Sequence, residues 1–317
     1  MKANFTLLII AVFFFSSCEK EPEQAAYPYY QVLKESVQTN VSTFNTGLYS
    51  LGDTWLVDSI EKVKFCKAFA HAAFFLDEPQ SYLFVESLNG YNIAHPAQPE
   101  LEGQSSLEQT DAHGNLIVLK MIDLVTYQNG GFLSYDYSDL NGNIDEKTTY
   151  VKAIPGTDWY AGSGFYGRMN EPYLCDFKKN EKVVQEAVNF MARGLAAVLP
   201  TTASDSLERV ELMRTFLRHI RFFDNLSGYF FVLDYRGYNV VQPPEPEREG
   251  NYQWDMQDSR GNYLMQGLIE TAQNGGGFYS YYWMDYQTNT EQFKNAYVTP
   301  IPGYDYLIGS GVYYPEF

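Results

Sequence analysis

Positive charge is scarce in this chain: 22 Lys and Arg stand against 39 Asp and Glu, a formal net charge of −17 over 317 residues. Nucleic-acid binding needs a positive field to displace counterions from phosphates, so that class of partner is excluded. Adhesion of the protein surface to an anionic bilayer is disfavoured for the same reason. Cysteine and histidine are scarce as well, at 3 and 4 residues. Gly-x-Ser-x-Gly, His-Glu-x-x-His and the phosphate-loop pattern do not occur, so no nucleophile, metal or base cluster can be assembled from local spacing. Neither catalysis nor a metal or other cofactor is expected. Asp139, Asn141, Asn143 and Asp145 suggest a calcium loop, but its sixth and twelfth positions hold Ile144 and Tyr150 where Gly and an acid are needed; Asn141-Gly142 reads as a hairpin turn. After the first residues, every long apolar run carries charges, so no later transmembrane helix is predicted.

Core material, by contrast, is plentiful, with 45% hydrophobic and 17% aromatic residues, including 27 Tyr against 4 Trp. Tyrosine joins apolar area to a hydroxyl, which suits half-buried sheets and the walls of small-ligand pockets. The chain also says the same thing twice at a spacing of 147 residues. Tyr82 to Gly103 and Tyr229 to Gly250 agree at 11 of 22 positions without a gap, and Tyr150 to Tyr166 agrees with Tyr297 to Tyr313 at 10 of 17. One residue slips between these blocks, where Gly130-Gly131-Phe132 faces Gly276-Gly277-Phe278. A period of this size predicts two modules, each folding around its own core.

At the N-terminus Lys2 precedes an apolar stretch from Phe5 to Phe15, too short to span a bilayer, and then Ser16-Ser17-Cys18. This resembles a bacterial lipoprotein signal peptide, in which the residue at Cys18 becomes the lipidated first residue of the mature chain. Phe15 departs from the usual Leu, and the alternative is an ordinary secretory signal with an incidental cysteine. The expected organisation is a signal peptide over 1–17, an acidic tether over 18–26, module 1 over 27–171 and module 2 over 172–317. The protein is then extracytoplasmic and held to the membrane by a lipid anchor. Cys66 and Cys175 lie at non-equivalent repeat positions and read as buried small residues, a single bridge being the alternative.

Tyr30, Leu33, Val37, Val41, Phe44 and Leu48 recur at three- and four-residue steps and predict a long helix from Tyr27 to about Ser50; Lys178 to Leu199, stopped by Pro200, is its counterpart. Asp58 with Glu61 and Asp205 with Glu208 signal the starts of second helices, running to about Phe75 and Phe223. Afterwards the period falls toward 2. Tyr82-Leu83-Phe84-Val85, Tyr229-Phe230-Phe231-Val232, Phe132 to Tyr137 and Phe278 to Trp283 read as strands, and further strands flank Pro155-Gly156 and Pro302-Gly303. Each module therefore reads as α+β: long N-terminal helices followed by a roughly five-stranded antiparallel sheet.

The order Gly228-Tyr229-Phe230-Phe231-Val232, Gly237, Pro243, Gly250, Asp258, Gly261, Gly276-Gly277-Phe278, Tyr281-Tyr282-Trp283, Ile301-Pro302-Gly303 and Gly309-Ser310-Gly311 resembles the Cache family of extracytoplasmic sensor domains in bacterial chemoreceptors and sensor kinases. Tyr82, Gly90, His95-Pro96, Gly103, Asp111, Gly114, Gly130-Gly131-Phe132, Pro155-Gly156 and Gly162-Ser163-Gly164 carry the same resemblance in module 1. It implies a PAS-like sheet whose curved face, covered by loops and a helix, holds a small carboxylate or amino acid. Since this chain ends four residues after Tyr313, any signal is expected to pass through a membrane sensor partner.

Candidate ligand contacts begin with Arg214, Arg218 and Arg221, which would share one face of the second helix of module 2; three arginines could grip a carboxylate, or be a solvated, ion-paired face. Lys67, His71 and Phe74 stand at the matching positions of module 1, so the two copies should differ in ligand. Tyr229 with Phe231 and Tyr281 with Trp283 share strand faces that suit a pocket wall or a core; Tyr82, Phe84 and Tyr135 are their module 1 counterparts. His95 matches the family's His-Pro pattern, and Gln242 replaces it in module 2. The reading is a non-catalytic lipoprotein that captures a small anionic or zwitterionic molecule, with a structural or partner-binding envelope lipoprotein as the alternative.

Overall fold

The computed structural model describes residues 26–27, 29–75, 81–138, 142–166 and 174–314. The signal peptide, Cys18, most of the tether, Asp139 and Asn141 of the hairpin, and the module boundary at 171/172 lie outside the described residues. Module 1 contains β1 (Ala26–Tyr27), α1 (Tyr29–Trp55), α2 (Ser59–Ala72), β2 (Leu83–Ser87), β3 (Asn92–Ala94), α3 (Ile117–Gln128), β4 (Gly130–Ser138), β5 (Ile144–Ala153) and β6 (Trp159–Tyr166). Module 2 repeats them as β7 (Leu174–Cys175), α4 (Asp176–Thr202), α5 (Ser206–Leu217), β8 (Phe231–Asp234), β9 (Asn239–Val241), α6 (Leu264–Gln273), β10 (Gly277–Asp285), β11 (Thr290–Pro300) and β12 (Tyr306–Tyr314). Both sheets are antiparallel and five-stranded, ordered β3-β2-β6-β5-β4 and β9-β8-β12-β11-β10. Phe132 pairs with Tyr150 and Phe278 with Tyr297, so the one-residue slip in the repeat is absorbed in the β4–β5 hairpin and pairing register is kept.

The second helices start as their caps dictate. Asp58 accepts from the Glu61 amide at 2.9 Å, Asp205 accepts from Leu207 and Glu208, and each Glu reaches back to the amide of the residue before the cap. Their ends differ from expectation. Extended backbone at Ala73 stops α2 before Phe75. In module 2, α5 ends at Leu217, Phe222 bridges to Gly228, and Phe223 and Leu226 adopt φ of 65° and 57°, so Arg221 lies beyond the helix. The long helices both run further than their sequence signals, α1 through a kink at Gly52 and α4 past Pro200, which sits in its last turn.

The expectation of a separate core for each module is corrected. One continuous core joins Phe44, Phe65 and Phe69 of module 1 to Phe190, Met191, Phe216 and Leu217 of module 2, together with the inner faces of both sheets. The joint is reciprocal. A Cβ on Gly47 of α1 would meet the Phe216 ring of α5 at 2.4 Å, and one on Gly194 of α4 would meet the Phe69 ring of α2 at 2.2 Å. Each first helix thus receives an aromatic from the other module's second helix at equivalent repeat positions. The opposite face of each sheet has its own smaller core, under α3 in module 1 and under α6 in module 2.

Candidate functional site

Those outer faces hold the two pockets. In module 1, Tyr82, Phe84 and Glu86 of the segment through β2 meet His95, Gln109, Ile117, Val118 and Met121, with Tyr135 and Tyr137 of β4 and Lys147 of β5, around a cavity of about 20 Å³. In module 2, Tyr229, Phe231, Leu233, Asn239, Gln242, Leu264, Met265, Leu268, Tyr281 and Trp283 enclose a cavity of about 20 Å³. Each is room for about one water molecule. All of the sequence-named residues Tyr82, Phe84, His95, Tyr135, Tyr229, Phe231, Gln242, Tyr281 and Trp283 are brought together here.

The repeated Gly-Ser-Gly makes these pockets by leaving atoms out. A Cβ at Gly162 would strike the Phe84 ring at 2.3 Å, and one at Gly309 the Phe231 ring at 2.5 Å, so each pocket phenylalanine lies flat across its neighbouring strand. Gly311 does the same for the Lys294 stem, whose Cε lies 2.7 Å from where a Cβ would stand.

Lys147 and Lys294 were not foreseen, and they are the strongest chemistry present. They occupy the same repeat position on β5 and β11, and are 3% and 1% exposed. Lys294 Nζ donates to the hydroxyls of Tyr229 (2.9 Å) and Tyr313 (3.2 Å) and stands 4.2 Å and 4.6 Å from their ring centres. Lys147 Nζ donates to Tyr82 (3.1 Å) and lies over the rings of Tyr82, Tyr137 and Tyr166. Among the described residues neither ammonium has a carboxylate within ion-pair distance. Burial draws the Lys147 ammonium below the usual lysine range, opposed by the Tyr166 phenol. A buried ammonium met by neutral phenols and ring faces is costly to keep charged without a counter-charge. The sequence did carry a signal: each lysine falls three residues before the aligned Tyr150 or Tyr297, on the strand face shared with Thr149 and Val151 or Ala296 and Val298, all of them buried.

His95 is also buried, and desolvation holds its pKa down at about 4. Its Nδ1 accepts from the Gln98 amide (3.1 Å), which leaves the neutral ring's proton on Nε2. Glu86 is 3% exposed, and burial raises its pKa against hydrogen bonds from Tyr160, Ser106 and Asn92.

The basic stripe goes elsewhere. Arg214 and Arg218 close on Glu249 at 3.2 Å and 2.6 Å, and Lys67 and His71 close on Glu102 at 2.9 Å and 2.7 Å. Each glutamate also accepts the amide of Gln242 or His95, at 2.8 Å or 2.9 Å. These four side chains therefore clamp the chain after β3 and β9 to α2 and α5, outside both pockets. Arg221 separates from them: its guanidinium donates to the carbonyls of Ile220 and Arg218, lies 6.0 Å from the Tyr229 ring, and lines a cavity of about 170 Å³ with Asp285, Tyr286 and Tyr313 on the other side of Tyr229. Cys66 is a buried free thiol, pushed up to about 12 by desolvation; the side chain of Cys175 lies outside what the structure describes. Among the described residues no group of three or more His, Cys, Asp or Glu is placed to hold a metal ion.

Two helix-covered, half-aromatic pockets on five-stranded antiparallel sheets define a tandem sensory, ligand-binding protein. The chain belongs to the Cache domain family: residues 178–317 match the family described as Single Cache domain 2, and residues 67–170 match the one described as Cache domain. It is 28% identical over 136 residues to the sensor histidine kinase MctS of Rhizobium johnstonii, covering 43% of this chain and 29% of that protein. A methyl-accepting chemotaxis protein from Vibrio parahaemolyticus is 28% identical with a TM-score of 0.37, over 43% of this chain and 89% of the other. A Cache chemosensory domain solved for carboxylic acid recognition is 22% identical with a TM-score of 0.38, over 44% of this chain and 97% of the other. Cache domains are extracytoplasmic small-molecule sensors, and no described helix here is long and apolar enough to cross a membrane.

Proposed function

We propose that this protein is a non-catalytic extracytoplasmic lipoprotein, lipidated at Cys18 and built of modules 27–171 and 172–317, that binds small carboxylates and acts through a membrane sensor partner. The observation carrying this reading is the pair of buried, repeat-equivalent lysines Lys147 and Lys294, which have no carboxylate within ion-pair distance among the described residues. In a low-dielectric wall of tyrosines a carboxylate gains both charge neutralisation and charge-assisted hydrogen bonds from ammonium and phenol. Arg221, behind Tyr229, adds positive potential next to Tyr229.

The test is a thermal-shift and calorimetric titration of the full chain with acetate, propionate and pentanoate. Saturation at a hundred times Kd stabilises the protein by about 2.7 kcal/mol. Lys294→Met is expected to remove the module 2 response and Lys147→Met the module 1 response. No response from either module to any of the acids refutes the reading. A second reading, a structural or partner-binding envelope lipoprotein, is favoured by the small cavities, each about 20 Å³. Against it stand the lysines, since a core packed only for stability has no use for a buried ammonium. Co-purification with a membrane sensor in the absence of ligand, without any carboxylate response, would favour this second reading.

A further inference from the structure

The two modules are internal controls for one another, because the same fold occurs twice, although Lys147 lines the module 1 cavity while Lys294 stands behind Tyr229 rather than on the module 2 cavity wall. Tyr82 and Tyr229, Phe84 and Phe231, Lys147 and Lys294, and Tyr166 and Tyr313 keep their chemistry at the repeat spacing. One pair does not. Glu86 and Tyr160 of module 1 stand where module 2 has Leu233 and Leu307, and all four side chains are buried. Module 2 shows that this volume can be filled by two leucines, so the fold itself does not require a carboxyl there.

Glu86 lines the module 1 cavity. Its Oε1 accepts from Asn92 Nδ2 (3.3 Å) and Ser106 Oγ (3.0 Å), and its Oε2 from the Tyr160 hydroxyl. All three donors are neutral. Three donors leave acceptor capacity on a carboxylate, and burying that charge without a cation is costly. Lys147 lines the same cavity without closing on Glu86. Along β6, Glu86 stands opposite Tyr160 and Lys147 opposite Tyr166, and both side chains reach the one cavity without coming within ion-pair distance of each other. The cavity wall therefore carries a basic pole and an acidic pole that do not neutralise one another.

We infer that module 1 takes a short ω-amino acid, its carboxylate on Lys147 and its ammonium on Glu86, while module 2, with Leu233, Met265 and Leu268, takes a plain carboxylate. This rests on the reading that both pockets bind carboxylates. An α-amino acid, with both charges on one carbon, spans the poles poorly.

The full chain is titrated calorimetrically with 3-aminopropanoate, 4-aminobutanoate and 5-aminopentanoate, each against the plain acid of equal length. At least one amino compound is expected to bind module 1 in Lys294→Met protein and to vanish in Lys147→Met. Glu86→Gln, which keeps volume and one acceptor oxygen but removes the charge, should weaken it at least tenfold while leaving plain-acid binding at Lys294 intact. The double variant Glu86→Leu/Tyr160→Leu, which installs the module 2 pair, should reverse the module 1 preference toward the plain acid. Undiminished amino-acid binding in Glu86→Gln, or plain acids binding module 1 more tightly than their amino counterparts, overturns the inference and leaves the carboxylate reading standing. Absence of binding by every compound overturns both.

Discussion

A lysine at 1% exposure is an unusual choice for a sheet interior, and the free protein bears its cost. Replacing even a buried ion pair by apolar residues of similar volume is often neutral or stabilising by about 1–4 kcal/mol, and a buried ammonium without a carboxylate partner lacks the Coulombic return such a pair has. Lys294→Met is therefore expected to raise or preserve the melting temperature without ligand and to abolish the carboxylate-induced shift, which thermal unfolding in the two conditions checks. His95 gives a pH signature. Burial keeps the folded ring neutral down to about pH 4, while the unfolded ring takes a proton near 6.5. Between those values the unfolded chain binds more protons, so this contribution is complete above about pH 6.5 and is lost as pH falls toward 4, by about 3 kcal/mol at most. His95→Gln, the module 2 choice, should flatten that slope when denaturation midpoints at pH 7 and 4.5 are compared. Cys66, held up at about 12, should resist thiol reagents at pH 8 in native protein and label only on unfolding, as peptide mapping would show.

At the level of elements, the caps were legible and the covering helices were not. Asp58-x-x-Glu61 and Asp205-x-x-Glu208 announce α2 and α5 because a carboxylate satisfying orphan amides leaves a fixed spacing in sequence. Removing one by Asp205→Ala should cost about 1 kcal/mol, read from the urea midpoint. The resemblance implied a covering helix, but α3 and α6 were not located in the sequence, since Leu116 and Tyr263 at their N-caps make no side-chain cap and no start signal is written there. Ile117, Val118 and Met121 of α3 and Leu264, Met265 and Leu268 of α6 line the two cavities. Hydrogen exchange in 117–128 and 264–273 is expected to slow when carboxylate is bound. The end of α5 was overrun by its apolar pattern; tertiary pairing of Phe222 with Gly228 breaks the helix and turns Arg221 away from Arg214 and Arg218.

For the molecule as a whole, the reciprocal insertion of Phe216 against Gly47 and Phe69 against Gly194 makes the tandem a single packing unit. Phe216→Ala should destabilise by about 3–5 kcal/mol. Because the ring sits among helices of both modules, tryptophan fluorescence at Trp159 and at Trp254 or Trp283 should report the same lowered midpoint. Two separated transitions would show that the modules unfold independently.

Sequence by itself determined the duplication, the α+β order of each module, and the shared strand faces of Tyr229 with Phe231 and Tyr281 with Trp283, without deciding between pocket wall and core, since periodicity, turn residues and repeat identity are local or directly comparable along the chain. It could not decide which charges face inward. Arginines at helical spacing look like a binding face until Glu249, contributed by a distant loop, closes on two of them. Lys147 and Lys294 look like solvated strand residues until β6 and β12 lie beside them, with Gly311 leaving room for the Lys294 stem. Nor could the sequence show one core where it offered two copies, because burial of Phe69 and Phe216 depends on which helix of the other copy arrives against them. Charge compensation and close packing are set by neighbours distant in sequence, and only the folded chain brings those neighbours together.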